Sequence, residues 1–347
     1  MDSSLQTSLQ PVSNANIVQI QTRNSLLQAD DDGVITLSFL LLPEYAMMSL
    51  LSAIEPLRVA NRLAGREIYR WQCLSEDGEP VYASNQMALQ THQNIHQVDP
   101  PRNIFVNSSF HPQRYVNEAT VKWLRRLNRM GSTIGALDTG CHLLAHANLL
   151  KGYRITMHWE AVPVFQEQYP EQKISSELFE IDAKRITCAG GTAATDMVLH
   201  LIQSHCGVDL ALQVCDQFIR QGIRKKSDKQ RLALAHRLNI HNPRLLKVVA
   251  LMEQHIAAPI KLSQLAERAH ISLRQLERLF KLCLDCAPSQ YYLRLRLNRA
   301  QQLLAESDLQ ISEIGLASGF NSTAHFCRSY RRHFGITANM QRQQPGL

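Results

Sequence analysis

Hydrophobic and polar positions between residues 33 and 220 follow two alternating patterns. Residues 34–42 form a nearly continuous apolar run, which is typical of a parallel strand buried on both faces. Residues 115–130 instead place Val116, Trp123, Leu124 and Leu127 on one face of a helix. Similar patterns predict strands at residues 69–75, 103–107, 133–137, 154–157 and 185–188, and helices at residues 49–63, 140–150 and 192–204. This alternation predicts an α/β domain of the flavodoxin-like class with a mainly parallel sheet.

The regions on either side of this domain have other patterns. Residues 1–32 are rich in Gln, Ser, Asn and Asp with little periodicity, which predicts a disordered tail. Residues 221–243 are polar and basic and end at Pro243, so we interpret them as a linker. Residues 244–347 have helical spacing throughout, which predicts an all-α domain. The predicted organisation is therefore tail, α/β domain at 33–220, linker and all-α domain.

The all-α domain begins with a pattern of helix, turn and helix at residues 262–282. Ser263 is predicted to cap the first helix, the turn falls near His270, and Ser272 caps the second helix. Leu276 and Phe280 then face inward at helical spacing.

The same pattern recurs 50 residues later, at residues 311–334. Ser312 opens a helix, Gly319 supplies the turn, and Ser322 caps a second helix with Phe326 and Tyr330 on its inner face. Residues 288–306 form a long amphipathic helix between the two units. The sequence therefore predicts two helix-turn-helix motifs joined by a helix.

The free faces of both second helices carry cations and short polar groups, which suit the major groove of DNA. A solvated basic face is the alternative for one such helix, but a matched pair favours DNA binding. The predicted DNA-binding residues are Ser272, Arg274, Gln275, Glu277, Arg278, Lys281, Ser322, Thr323, His325, Cys327, Arg328 and Arg331.

Charge separates the two domains. The chain has 37 Lys and Arg against 30 Asp and Glu, a net charge of +7. Residues 244–347 hold 14 basic and 7 acidic residues, so residues 1–243 hold 23 of each sign. A neutral large part and a basic small part indicate a domain facing a small ligand or a protein, joined to one facing nucleic acid.

Residues 311–335 contain the run I-x-x-I-G-L-A-S-G-F-N-S followed by H-F-C-R-S-Y-R-R-H-F-G. This segment resembles the signature of the AraC/XylS family of bacterial transcription regulators. The resemblance covers about the last 100 residues and implies sequence-specific binding to promoter DNA. Ala338 departs from the family pattern, which usually has Pro there, and we expect little effect on binding.

Residues 134–140, with 145–159 and 186–202, resemble the PfpI-type class I glutamine-amidotransferase superfamily. The resemblance spans roughly residues 34–219, and some AraC/XylS members carry such a domain at this end. Enzymes of the superfamily have a nucleophilic Cys at the strained turn, where this chain has Asp138. The superfamily's acidic partner falls near Ser49, whereas His158 matches its His. We therefore expect no enzymatic activity; the alternative is a hydrolase that uses Cys141 and His158 as a displaced dyad.

A pocket over the carboxyl ends of the strands is the usual ligand site in open α/β sheets. A carboxylate, helix N-termini and aromatic faces there suit a small zwitterion with a cationic nitrogen, although core packing is the alternative for each aromatic residue. The predicted ligand-binding residues are Asp138, Thr139, Trp159, Phe110, His158, Gly190 and Gly191. Residues 54–62 resemble the subgroup that senses betaine, carnitine or arginine and activates catabolic genes, which implies the ligand class.

Location and partners complete the expectations. No apolar run approaches the ~18 residues that span a bilayer, and the N-terminus lacks signal-peptide features, so we expect a cytoplasmic protein without a membrane partner. Cys283 and Cys286 lack a second ligand pair, and we expect neither a metal nor another cofactor. We expect a homodimer that binds promoter DNA, contacts RNA polymerase and responds to a small effector. The alternative that the α/β domain serves only for dimerisation stays open.

Overall fold

The computed structural model describes residues 26–307 and 309–343. The first part combines one large sheet with helices on both of its faces. Its elements are β1 Ile35–Leu41, α1 Met47–Ala64, β2 Tyr69–Ser75, β3 Val81–Tyr82, β4 Ala88–Leu89, β5 Gln93–Asn94, β6 Asn103–Ser108, α2 Glu118–Arg129, β7 Thr133–Asp138, α3 Cys141–His146, β8 Arg154–Ile155, α4 Val162–Gln168, β9 Lys173–Ile174, β10 Phe179–Asp182, β11 Arg185–Cys188, α5 Ala193–Cys206 and α6 Val208–Gln217.

The large sheet has the strand order β10-β11-β7-β6-β1-β2-β5. All its neighbouring strands pair in parallel except β10, which pairs antiparallel with β11 at one edge. Helices α1, α5 and α6 contribute to the core on one face, and α2 and α3 to the core on the other. Both faces of the central strands are therefore buried, as is usual in parallel sheets. This topology confirms the prediction of a mainly parallel, flavodoxin-like α/β domain.

Two predicted elements differ from the structure. Residues 154–157 do not join the large sheet: only Arg154–Ile155 is a strand, and it pairs with β9 in a separate two-stranded sheet. The helix predicted at 140–150 ends at His146, because Asn148 adopts a left-handed φ of 57° that a helix cannot continue through.

The last part of the predicted tail is ordered, so that prediction is wrong for residues 26–32. Leu27 is buried in the same hydrophobic core as residues of α1, α5 and α6. The side chain of Gln28 donates to the carbonyl of Gly131, and its backbone N–H donates to Asn103 Oδ1 at 2.8 Å. A short polar segment can be fixed by such contacts without any periodicity in its sequence. Residues 1–25 lie outside the described residues.

The second part is helical. Its elements are α7 Leu234–Leu238, α8 Pro243–Gln254, α9 Leu262–Arg268, α10 Leu273–Leu284, α11 Pro288–Glu306, α12 Ile311–Ala317, α13 Thr323–Phe334 and α14 Ala338–Gln343. One hydrophobic cluster joins α8, α9 and α10, and another joins α11, α12 and α13. Helix α11 contributes to both clusters, so it connects the two helix-turn-helix units.

The helix caps agree only partly with the sequence. Ser272 accepts from the backbone N–H of Gln275, and Ser322 accepts from that of His325, as expected of N-caps. The first helix of each unit starts earlier than predicted, because Lys261 and Gln310 occupy the cap positions. The predicted caps, Ser263 and Ser312, therefore lie within the first turns of α9 and α12.

Candidate effector pocket and nucleic-acid interface

A cavity of about 320 Å³ opens where β7 and β11 end and α1 and α5 begin. It lies beside the carboxyl ends of the parallel strands, where open α/β sheets usually bind ligands. Its lining residues are Ala46, Met47, Met48, Ser49, Ser84, Asn85, Asp138, His158, Trp159, Leu178, Ala189, Gly190, Gly191, Thr192, Ala193, Arg224 and Gln230. We call this cavity the effector pocket.

Asp138 occupies the strained turn at the end of β7. Its φ of 59° lies in the left-handed region that non-glycine residues rarely adopt. Gly190 packs directly against it: a Cβ on Gly190 would lie 2.5 Å from a carboxylate oxygen of Asp138. The N-cap of α3 is Gly140, not Asp138, and no side chain caps this helix. The Asp138 carboxylate instead accepts a hydrogen bond from Ser49 Oγ at 3.3 Å.

Burial controls the ionisation of Asp138. Desolvation raises the pKa of its carboxyl to about 7, the Ser49 hydroxyl opposes this, and the charge of Glu160 adds to it. Ser49 Oγ also accepts from the backbone N–H of Gly191 at 2.7 Å, which fixes the hydroxyl between the two loops. The pocket therefore holds a carboxyl group for which a positive partner would favour the charged form.

Two aromatic side chains, those of His158 and Trp159, form one wall of the effector pocket. The backbone N–H of His158 donates to the carbonyl of Asp138 at 3.2 Å, which ties this wall to the strained turn. Burial lowers the pKa of the His158 imidazole. Trp159 is 37% exposed, and the guanidinium of Arg231 lies 4.0 Å from the centroid of its ring. This wall thus presents an aromatic surface that already contacts a cation.

The predicted linker supplies a wall of the pocket that sequence reasoning missed. Arg224 donates through Nε and Nη2 to the fully buried Asp196 of α5, at 2.9 and 2.6 Å, and through Nη2 to Thr192 Oγ1. The side chain of Gln230 donates to Thr156 Oγ1 and to the carbonyls of Met157 and Glu177. No local pattern marks these residues, because their partners lie 28 to 74 positions away along the chain.

The predicted ligand residues are only partly brought together. Asp138, His158, Trp159, Gly190 and Gly191 line the effector pocket. Thr139 does not, because its buried hydroxyl donates to the carbonyl of Ser109 at 2.6 Å. Phe110 does not either: it is 52% exposed and lies beside His111.

Cys141 and His158 do not form the displaced catalytic dyad of the hydrolase alternative. The Cys141 thiol is buried in the core that includes α2 and α3, and it donates to the carbonyl of Thr156 at 3.5 Å. Burial raises the pKa of this thiol well above its usual value.

The helical part presents the predicted DNA-binding residues on two helices with buried inner faces. Leu276 and Phe280 of α10, and Phe326 and Tyr330 of α13, are buried. Cys327 is half-buried, and Gln275 is engaged in the capping box of α10. The remaining predicted contacts are exposed: Ser272, Arg274, Glu277, Arg278, Lys281, Ser322, Thr323, His325, Arg328 and Arg331.

Arg296 and Gly319 fix the turn of the second unit. Arg296 of α11 donates to the carbonyls of Ser318 and Gly319 at 3.0 and 2.7 Å, and its guanidinium lies over the ring of Phe320. Gly319 has a φ of 79°, and a Cβ there would lie only 2.3 Å from the carbonyl oxygen of Ile256. The turn therefore packs against the segment that follows α8, and this links the two units.

Neither a membrane-spanning helix nor a metal-binding cluster occurs among the described residues. Among residues 26–307 and 309–343, no helix is long and apolar enough to cross a bilayer. Within the same residues, no group of three or more His, Cys, Asp or Glu is arranged to hold a metal ion.

Comparison with known proteins identifies relatives over most of the chain. A family model described as "Helix-turn-helix domain" matches residues 265–344. "HTH-type transcriptional regulator CdhR" of Pseudomonas aeruginosa is 47% identical over 304 residues, covering 88% of this chain and 90% of the relative. "HTH-type transcriptional regulator GbdR" of the same species is 43% identical, covering 89% of this chain and 84% of the relative.

A solved structure supports the fold of the first part. A ThiJ/PfpI family protein from Pseudomonas syringae superposes with a TM-score of 0.50 at 15% identity, covering 77% of this chain and 98% of that one. At this identity the likeness concerns the fold alone.

Proposed function

Because the chain belongs to the AraC/XylS family of DNA-binding transcription regulators, we propose that its α/β domain senses a small cationic metabolite and thereby controls promoter activity. The sensing domain comprises residues 33–220, with Arg224 and Gln230 of the following segment completing its pocket, and residues 244–347 bind the promoter. The single observation that carries the sensing role is the buried carboxyl of Asp138, which faces the effector pocket and pairs there with the neutral hydroxyl of Ser49. A cation is the partner that such a group lacks.

The shape and chemistry of the pocket favour a zwitterion such as a quaternary amine with a carboxylate, or an amino acid. Asp138 and Trp159 would receive the cationic nitrogen. The loop at Gly190 and Gly191, the start of α5 and the Arg224 guanidinium lie along the same cavity and suit a carboxylate. A volume of about 320 Å³ accommodates a metabolite of this size.

The exposed faces of α10 and α13 read promoter DNA in two successive stretches of the major groove. We propose base contacts from Arg278 and Arg328, which occupy equivalent places in the two units, and phosphate contacts from the other exposed cations. Two copies would multiply the specificity of one basic domain, so the working form is a homodimer. It activates transcription by contact with RNA polymerase, in the cytoplasm.

The buried Cys141 argues against the alternative of a hydrolase. A nucleophilic thiol needs access and a low pKa, whereas Cys141 has neither. The position of the superfamily's nucleophile is held by Asp138, a buried carboxyl that accepts a hydrogen bond from Ser49. The α/β domain therefore binds its ligand without turning it over.

A thermal-shift screen of the full-length protein tests this function. Glycine betaine, L-carnitine and L-arginine serve as cationic probes, and neutral isosteres of the same size serve as controls. We expect at least one cationic probe to raise the melting temperature in a concentration-dependent way, while its neutral isostere does not. Stabilisation by neutral and cationic compounds alike would contradict the proposed ligand class.

A further inference from the structure

The aromatic wall of the effector pocket continues directly into a contact with the DNA-binding domain. Trp159 lines the pocket, and α4 begins three residues later at Val162. The two buried side chains of α4 point to different domains: Phe165 belongs to the core of the α/β domain, whereas Val164 is fully buried in the cluster of α11 and α13. Helix α4 therefore bridges the two domains.

Polar contacts reinforce this bridge at its edge. Arg299 of α11 donates through Nη2 to the carbonyl of Pro163 at 2.6 Å, and Gln302 Nε2 donates to the carbonyl of Glu160 at 3.4 Å. Burial lowers the pKa of Arg299 to about 10. Its Nη1 is buried without a hydrogen-bond partner among the described residues. Arg299 also forms an ion pair with Glu167 of α4 at 3.7 Å, but a buried guanidinium with one unpaired nitrogen makes a small net contribution to an interface, which suits a contact that opens.

The interdomain segment makes a second connection at the same wall. Gln230 is held on the α/β domain by its three donated hydrogen bonds. The next residue, Arg231, stacks on Trp159, and α7, which leads into the DNA-binding domain, starts three residues further on. Trp159, whose ring we propose as a surface for the cationic effector, is thus already in contact with the guanidinium of Arg231.

We propose that residues 159–168, together with Arg231 and α11, form a docking contact that holds the DNA-binding domain against the α/β domain, and that a cationic effector releases it by displacing Arg231 from Trp159. The competition rests on the proposed function, whereas the docking contact does not. The segment that carries Arg231 acts in this contact as an internal ligand of the α/β domain.

Thermodynamic linkage gives this proposal a clear sign. If the effector and the docking contact exclude one another, any change that weakens docking must tighten effector binding, by at most the factor by which docking is weakened. Removal of Arg231 or disruption of the contact at Val164 must therefore increase the affinity for the effector. If Arg231 instead formed part of the effector site, its removal would weaken affinity.

The test uses the full-length chain with three variants. Arg231→Ala removes the internal cation, and Val164→Asp places a charge in the apolar contact without touching the core around Phe165. Lys225→Ala is the matched control, because it removes an exposed cation from the same segment. Hydrogen exchange without effector reports docking at residues 159–168 and α11, and calorimetric titration with glycine betaine, L-carnitine and L-arginine reports affinity.

We expect faster exchange at both segments in Arg231→Ala and Val164→Asp, and about two- to tenfold tighter binding of the cationic probe, with Lys225→Ala like wild type. Unchanged exchange in both variants, or weaker probe binding in Arg231→Ala, overturns the proposal. If no probe binds even the wild type, the proposed function fails, and the exchange data alone decide whether the docking contact exists.

Discussion

The carboxylate of Asp138 lies 3.3 Å from the hydroxyl of Ser49, in a chain where these two residues are 89 positions apart. In the superfamily that the α/β domain resembles, the first position holds the nucleophile and the second lies near the acidic partner. Here the pair is an acid and a hydroxyl, and the hydroxyl is also held by the backbone of Gly191. We propose that this arrangement forms a site for a cation.

The elevated pKa of Asp138 predicts a particular dependence of stability on pH. The folded-state pKa of about 7 lies above the ordinary aspartate value of 3.8, so the protonated form favours folding. The stabilisation is complete below about pH 4 and is lost as the pH rises through about 7. Asp138→Asn removes this dependence, and it should gain stability relative to wild type between pH 5 and pH 8, by a few kcal/mol at most.

Thermal denaturation of the effector-free protein at several pH values measures this difference. Asp99→Asn is the control, because Asp99 is an exposed carboxylate. A constant difference between wild type and Asp138→Asn across the pH range would show that Asp138 is not held as a buried acid.

Arg278 and Arg328 are predicted to read bases. Each change to Ala should cost about 1–3 kcal/mol of binding free energy on a selected operator, but much less on random DNA. Arg126→Ala removes the same charge from the exposed face of α2 and should leave both affinities unchanged. Equal losses on operator and random DNA would indicate phosphate contacts, and a lowered melting temperature would indicate a structural role.

The basic domain should bind DNA with a strong dependence on salt. Residues 244–347 carry a net charge of +7, whereas residues 1–243 carry 23 charges of each sign. Affinity of the full-length protein for random DNA should therefore fall steeply with salt, because bound counterions are released from the DNA. A fragment of residues 1–220 should not bind under the same conditions, and comparable binding by both would contradict the domain assignment.

Gly319 and Gly335 form a matched pair for testing the turn of the second unit. Both have positive φ values, 79° and 77°, so Ala introduces similar backbone strain at each. Only at Gly319 would the new Cβ collide with the carbonyl of Ile256; at Gly335 nothing lies within 4 Å. Chemical denaturation should show a loss of about 1 kcal/mol for Gly335→Ala and a clearly larger loss for Gly319→Ala. Equal losses would mean that the two units do not pack at this turn.

The thiols should differ sharply in reactivity. Cys283 is exposed, whereas Cys141 is fully buried with a raised pKa. Brief treatment of the native protein with iodoacetamide, followed by mass spectrometry, should find label on Cys283 and none on Cys141. Rapid labelling of Cys141 would revive the hydrolase alternative.

The sequence was sufficient for features that depend on local periodicity. The buried run at residues 34–42, the helix Pro288–Glu306 and the cap at Ser272 all recur in the structure, because each is determined by neighbouring residues. Asp138 was identified from the local pattern of strand, turn and helix. Phe110 is predicted to bind the ligand but does not line the pocket, because an aromatic residue in a loop has no periodicity that shows which way it faces.

The remainder of the site depends on contacts distant in sequence. Arg224 and Gln230 lie in a polar segment that composition describes only as a linker. Their role follows from a buried carboxylate on α5 and from carbonyl groups of the α/β domain, which only the folded chain brings near. The docking of Val164 against α11 is invisible in sequence for the same reason.

Titration of the full-length wild type and of Asp138→Asn with the best cationic probe tests the central claim most directly. Asn is nearly isosteric and keeps a group that can pair with Ser49, so the fold and operator binding should be retained. The account predicts that the variant loses about tenfold or more in probe affinity, because the charge that faces the cation is gone. It also predicts a matching shift of the dose–response curve for promoter activation. Wild-type affinity and inducer sensitivity in Asp138→Asn would contradict the account.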